Sequence, residues 1–323
     1  MTISNNLRNI VRYNDLVRNL DMNSVSQNID VLLRQISTDL ATNDYDYDKL
    51  KETMKNKHQE ILKILQSWND DLNSFKKNIK KTVDEYAIPY YAKSKEVYER
   101  NCNLPRLEKL SKLKDSDLLY NEESKKILIS RITNNVSAKY ACCQIQPGYG
   151  EITKEIVAGT PLYIMEEEDF PSVVNTDFFN EIMSKRINWY SYNENHADPM
   201  HKLPQGQIGC FVAIDFFNSK TVEVIKKYLK SIYTALRPGG AVIFTYNNCD
   251  YPKGLDKVDD MYYCYTTEEE MTALCEEVGY KLMDSVTRGY DELDNGISWL
   301  EIKKPGELST IRAGQGLAQI MDL

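Results

Sequence analysis

"SKTVEVIKKYLKSIYTALRPGGAVIFTYNN", Ser219 to Asn248, is the stretch whose reading decides the fold. Its first part sets Val222, Ile225, Tyr228, Leu229, Ile232, Tyr233 and Leu236 on one side of a helical period, the pattern of a helix that buries one face. Pro238 cannot continue that helix, Gly239 and Gly240 supply a close turn, and the apolar run from Ala241 returns as a buried strand. The same alternation extends on both sides. From Lys139 onward the short apolar runs "KYACCQI", "PLYIM", "INWYSY", "IGCFVAI" and "AVIFTYN" are separated by helical stretches. Strands alternating with helices predict βαβ units and a mostly parallel sheet covered on both faces, an α/β doubly wound fold.

Before that point the period is different. Residues 1–134 read as almost entirely helical. Ile61, Leu65, Trp68, Leu72, Phe75 and Ile79 alternate steps of four and three, a heptad seam, and Val25, Ile29, Leu32, Ile36 and Leu40 repeat nearly the same spacing. Turn and capping residues in "ATNDYDYD" between them predict an antiparallel coiled-coil hairpin, each seam burying the other. The same seams could instead join a second copy or a larger assembly. Shorter helices are expected from Pro89 to about Asn101, from Leu104 to Leu113 and from Asn121 to Thr133. The basic "KKNIKK" at 76–81 lacks interleaved stacking aromatics and reads as a solvated helix face.

Composition narrows the function classes. At 323 residues, with 42% hydrophobic and 27% charged residues, the chain has ordinary globular usage and length for two domains. The seven cysteines form no CxxC pair, which predicts reduced thiols, and the vicinal Cys142 and Cys143 read as small hydrophobes of a buried strand. No metal site is expected, because His196, Asp198 and His201 match no strong ligand spacing. No run approaches the roughly 18 apolar residues of a membrane helix. "MTISNNLRNIVRYNDL" lacks a signal-peptide core, so a cytoplasmic protein without membrane association is expected. Residues 1–134 carry 23 Lys and Arg against 20 Asp and Glu, whereas residues 135–323 carry 17 against 28. That acidic second half gains little from neutralising phosphates, which argues against a nucleic-acid substrate.

The order of elements in the second half resembles class I S-adenosylmethionine-dependent methyltransferases. The helix ending in "ALRPGG" before "AVIFTYN" is similar to that family's crossing from fourth helix to fifth strand, and "GQIGCFVAIDFF" to its fourth strand. "YTTEEEMTALCEEVGYKLMDSV" looks like the last helix, closed by Gly279, and the sixth strand, and "ISWLEIKKPG" like the antiparallel seventh. The match covers residues 136–306. It implies three regions: a helical domain at 1–134, a Rossmann-like methyltransferase domain at 135–306 and a tail at 307–323. A Rossmann dehydrogenase fits less well, because its fuller glycine fingerprint is missing.

The resemblance implies S-adenosylmethionine as cofactor and names candidate residues. In "ACCQIQPGYGEITKEIV" the family's acidic-then-glycine pattern puts Gly148 and Gly150 on two glycine positions, but Gln146 on the first glycine and Gln144 on the acidic residue. Gln144 can hydrogen-bond the cofactor without bringing a charge to its ammonium. Glu166 falls where the family accepts both ribose hydroxyls on one carboxylate; Glu167 and Glu168 follow it, and an acidic helix start reads them equally well. Asn193 and Glu194 stand at the expected adenine edge. "DFFN", Asp215 to Asn218, occupies the place of the amino-methylating [DN]-P-P-[YF] motif without its prolines, leaving Asp215 as a substrate-facing carboxylate. His196 is a candidate general base, since imidazole titrates near neutrality. The implied function is methyl transfer to an unidentified acceptor. The alternative is an inactive methyltransferase-like protein held in an assembly by its helices, favoured by Gln144 and Gln146.

Overall fold

The computed structural model describes residues 47–104, 122–147, 152–166, 187–286 and 296–307. The chain divides into two compact units, Met1–Ile88 and Pro89–Leu323. The second unit therefore takes in residues 89–134, which the sequence reading groups with the helical half. Gly148, Gly150, Glu167, Glu168, the seam from Val25 to Leu40, the helix expected at Leu104 to Leu113 and residues 308–323 lie outside the described residues.

Within the first unit the described chain is helical. Helix α1, Tyr47–Asn103, runs through the boundary and contains Pro89. A proline inside a helix removes one backbone hydrogen bond and costs about 3 kcal/mol. Helix continues here, rather than restarting as expected, because Tyr90, Ser94 and Val97 in the next two turns are buried in the second unit. On the seam, Trp68 and Phe75 are 59% and 51% exposed.

The second unit is built on one seven-stranded sheet. Its strands are β1 (Ala141–Ile145), β2 (Leu162–Glu166), β3 (Ile187–Ser191), β4 (Ile208–Ala213), β5 (Leu236–Asn247), β6 (Lys281–Val286) and β7 (Ile297–Lys303). They lie in the order β3-β2-β1-β4-β5-β7-β6. Strands β1 to β5 pair in parallel, and β7 runs antiparallel to both β5 and β6. Strand order reverses between β1 and β4, so the crevice of such a sheet opens above the carboxyl ends of these strands.

The expected helices follow. Helix α2 (Glu122–Asn135) precedes β1, and the short α3 (Thr153–Ile156) follows it. Then come α4 (Val222–Ala235), α5 (Pro252–Asp259) and α6 (Glu268–Val278). Period-two alternation sorts the strand residues between two cores. Cys143, Ile145, Phe211, Ala213, Val242 and Phe244 face α4 and α6, whose Ile225, Leu229, Ile232 and Met271 are buried with them. Cys142, Ile164, Cys210, Val212 and Ile243 face the other way, onto Leu128 and Ile132 of α2. Burying each such side chain contributes roughly 1.5–3 kcal/mol, so the sheet is held from both sides. Helix α6 opens on a capping box between Thr267 and Glu270 and closes on Gly279 at φ 104°.

The "RPGG" turn differs from expectation in one respect. Extended structure starts at Leu236, immediately after α4, and β5 bulges against β4 so that Ile208 pairs with Leu236 and Cys210 with Ala241. Gly239 stays paired, donating its N–H to the Lys304 carbonyl at 2.9 Å, so the turn is stitched to the end of β7. Buried Arg237 stacks over Tyr140, 4.8 Å from its ring centre.

Candidate functional site

At the end of β1 the chain takes the shape a glycine would allow. Gln146, on the first glycine position of the aligned pattern, has φ 51°, a left-handed conformation that an L side chain rarely adopts. Its N–H donates to the Met165 carbonyl at 2.9 Å, and its side-chain amide donates to the Tyr192 hydroxyl. Tyr192 is buried after β3, and its N–H donates to the Glu166 carbonyl at 2.9 Å. Glu166 ends β2 with 1% of its surface exposed. The backbone thus draws Gln146, Glu166 and Tyr192 together across three adjacent strand ends.

Gln144 is differently placed. It is buried inside β1, and its Oε1 accepts a 2.7 Å hydrogen bond from the Thr153 hydroxyl at the start of α3. The residue that aligns with the family's acidic position therefore ties the strand to the following helix.

The loop after β3 separates the other candidates. Asn193 is exposed, and its Oδ1 accepts from the Asn195 N–H at 2.9 Å, a local turn of the kind asparagine favours. Glu194 carries an internal ion pair: Lys220 reaches one carboxylate oxygen, and the Tyr98 hydroxyl of α1 donates to the other at 2.7 Å. The Lys220 ammonium also lies 4.5 Å from the Phe216 ring centre and 5.8 Å from those of Tyr98 and Tyr228. Burial pushes the Glu194 carboxyl up, but the Lys220 charge and the hydrogen bonds from Lys220, Tyr98 and Cys102 outweigh it and hold the group below its ordinary range. For Tyr98, burial and the neighbouring Glu194 raise the phenol well above its usual value. Lys220 and Tyr98 were missed by sequence reasoning, since nothing local marks residues 26 and 96 positions away as partners of Glu194.

His196 sits on the exposed part of that loop. Its ring stacks on His201 with centres 4.0 Å apart, and both Nδ1 atoms lie within hydrogen-bond distance of the Asp198 carbonyl, at 2.7 and 2.9 Å. Asp198 is itself engaged by the Met200 N–H and the Ser231 hydroxyl. Among the described residues no group of three or more His, Cys, Asp or Glu is arranged to hold a metal.

Beyond the switch point, at the ends of β4 and β5, polar groups gather again. Asp215 has φ 56°, its N–H donates to the Thr245 hydroxyl at 2.7 Å, and its Oδ1 accepts from Asn218 Nδ2 at 2.9 Å. Burial pushes its carboxyl up to about 6, against the lowering pull of Lys257 and the Asn218 amide. Such a value keeps a carboxyl close to neutral-pH proton chemistry. The segment after α5 packs beside it. Gly254 makes this approach possible: a Cβ there would meet the Asn248 carbonyl oxygen at 2.0 Å, and one on Gly296 would meet the Gly254 nitrogen at 2.3 Å. The last turns of α1 hold the same segment. Lys93 pairs with Asp259 at 3.0 Å, and the Ser94 hydroxyl accepts the Tyr265 N–H at 2.7 Å.

Strand order and the antiparallel β7 define a class I methyltransferase fold, the class implied by the sequence motifs. No protein-family model and no curated protein sequence matches the chain. Among solved structures, the mitomycin 7-O-methyltransferase MmcR is similar at 15% identity and TM-score 0.42, covering 55% of this chain and 53% of that one. The pyocyanin biosynthetic protein PhzM is similar at 13% identity and TM-score 0.43, over 56% of this chain and 55% of that one. The chain thus spans about half the length of both. A SAM-dependent methyltransferase from Aquifex aeolicus is similar at 14% identity and TM-score 0.43, over 60% of this chain and 96% of that one.

Proposed function

We propose that this chain is an S-adenosylmethionine-dependent methyltransferase. The observation that carries the reading is the buried carboxylate of Glu166 at the end of β2, beside a Gln146 whose backbone keeps a left-handed turn at the end of β1. A carboxylate presents two acceptor oxygens side by side, and a vicinal diol presents two donors at matching spacing. Glu166 would hold the ribose, and the loop that begins at Gln146 would pass along the methionine part. Bound there, the cofactor supplies a methyl group already activated as a sulfonium.

The protein's own task is alignment and charge placement. Asp215 would face the acceptor from the end of β4, oriented by Asn218 and by its own N–H on Thr245. His196, engaged with the Asp198 backbone on an exposed loop, has no part in this reading. Neither do Asn193 and Glu194, since the Asn193 oxygen already accepts within its own turn and Glu194 is engaged with Lys220 and Tyr98.

A second reading, a methyltransferase-like protein that serves an assembly, is favoured by those same engagements. Gln144 is matched with Thr153 and Glu194 with Lys220, which gives the cofactor side an internal set of partners. Calorimetric titration with S-adenosylmethionine and S-adenosylhomocysteine separates the two. Binding that is lost in Glu166→Ala and kept in Asp215→Ala supports the enzyme; absence of binding at about millimolar ligand, weaker than roughly 4 kcal/mol, refutes it.

A further inference from the structure

Helix α1 covers its apolar residues unevenly along its length. In its last turns Tyr90, Ser94 and Val97 are buried. Upstream, Leu62, Ile64, Trp68 and Phe75 are all exposed, and Leu65 and Leu72 are half-buried. At the 100° that each residue turns around a helix, Ile64, Trp68 and Phe75 lie within about 40° of one another, with Leu65 and Leu72 beside them. A continuous apolar strip left open on a polar helix marks an interaction surface.

Written as heptads, the seam puts Leu65, Leu72 and Ile79 at a, and Ile61, Trp68 and Phe75 at d. Met54 at d and Tyr86 at a extend it, with His58 and Thr82 as polar positions, so the repeat runs through residues 54–86 of one continuous helix. Leu62 at e and Ile64 at g widen the strip. The charges beside the seam select its occupant. In a parallel pair a g residue meets the e residue five positions further along the other helix, whereas reversing one helix mirrors its wheel and sets g against g and e against e. Asp71 stands at g and Lys76, five residues on, at e. Two parallel copies in register therefore bring Asp71 of each to Lys76 of the other. An antiparallel pair would instead face the g row of Asp71 and Glu85 with its own kind and Lys76 with itself. Asp71 is exposed and Lys76 half-buried, and neither has an ion-pair partner among the described residues.

We propose that residues 54–86 of α1 form a parallel, in-register coiled coil with the same residues of a second copy of this chain. Burial of the open surfaces of Trp68 and Phe75, each against its counterpart at d, drives the association. The two Asp71 to Lys76 pairs fix its orientation. His58 at a holds the register, because any slip would set a polar side chain against an apolar layer. The inference concerns the first unit and does not depend on the reaction assigned to the second.

The test uses the full chain in sedimentation velocity across the micromolar range. The mass of two chains is expected, and Trp68→Gln combined with Phe75→Gln should reduce it to one. Asp71→Lys sets like charges together at both pairs and should weaken association about tenfold, whereas adding Lys76→Asp swaps the charges and should restore it. Orientation is read with Phe75→Cys in a Cys102→Ser background, since Cys102 is the exposed cysteine among the described residues. Parallel copies bring position 75 against itself, so mild oxidation should link them covalently. The mass of one chain throughout the range, as when residues 25–40 of the same chain or a different protein take the seam, overturns the proposal. So does a mass above two chains, a dimer that survives the double glutamine variant, or a dimer that oxidation at position 75 does not link.

Discussion

The two sides of the switch point treat their polar groups in opposite ways. On the side of β1, β2 and β3, side chains satisfy one another: Gln144 with Thr153, Gln146 with Tyr192, and Glu194 with Lys220 and Tyr98. On the side of β4 and β5, Asn218 and Asn247 are left with Oδ1 atoms that none of the described residues matches. Matched groups lower the energy of the empty protein, and a ligand gains from them only by exchange. Orphaned groups raise that energy and release it when something binds. The side of β1 to β3 is therefore organised for stability, and the side of β4 and β5 keeps hydrogen-bonding capacity in reserve.

The largest expected effect tests the matched side. Lys220→Met removes the partner of a half-buried carboxylate and an ammonium held among three rings, which should cost roughly 3 kcal/mol in denaturant unfolding at neutral pH. Because the Glu194 carboxyl is held below its ordinary value, its contribution is present at neutral pH and lost as pH falls through the folded-state value, below about 4.5. The deficit of Lys220→Met should accordingly shrink in acid. A loss under ~1 kcal/mol would mean the pair is screened by water and the matched side is no such thing.

Asp215→Asn should act with the opposite sign. The Asp215 carboxyl is raised from 3.8 to about 6 by burial, so its favourable contribution is complete below about pH 4 and disappears as pH rises through about 6. A rise of that size corresponds to about 3 kcal/mol. The variant should therefore be more stable than the parent at pH 7 by up to about that amount, and level with it near pH 4. A pH-independent difference would place Asp215 in water.

Smaller effects sharpen the contrast. Gln146→Gly relieves a left-handed side-chain residue and should gain about 1 kcal/mol, less the hydrogen bond to Tyr192. If the loop still serves a cofactor, the same change should tighten S-adenosylmethionine in calorimetry. Tyr263→Phe deletes a buried hydroxyl beside Asn218 and should alter thermal stability by less than ~1 kcal/mol. A large loss would show the hydroxyl to be structurally matched.

Much of the fold was legible because each signal is local. The helix from Val222 to Ala235, the break in it before Pro238, the strand ending in Glu166 and the Gly279 stop are all written in adjacent residues. The site was legible only in part. Glu166 and Asp215 stand at strand ends, and strand ends can be counted. That Glu194 belongs to Lys220, and that Gln144 is held by Thr153, depends on which loops meet in space. Pro89 misled for the same reason, since a helix stop read from one residue was overruled by burial of Tyr90, Ser94 and Val97.

The sequence by itself determined the alternation of strands and helices and the side chains standing at each strand's carboxyl end, because periodicity and turn chemistry act over a few residues. Tertiary structure alone decided which of those polar side chains are spent and which are left over. Hydrogen-bond capacity is used up by whatever lies within about 3 Å, and the partners of Asn247 come from α5 and from Cys264, 7 and 17 residues away.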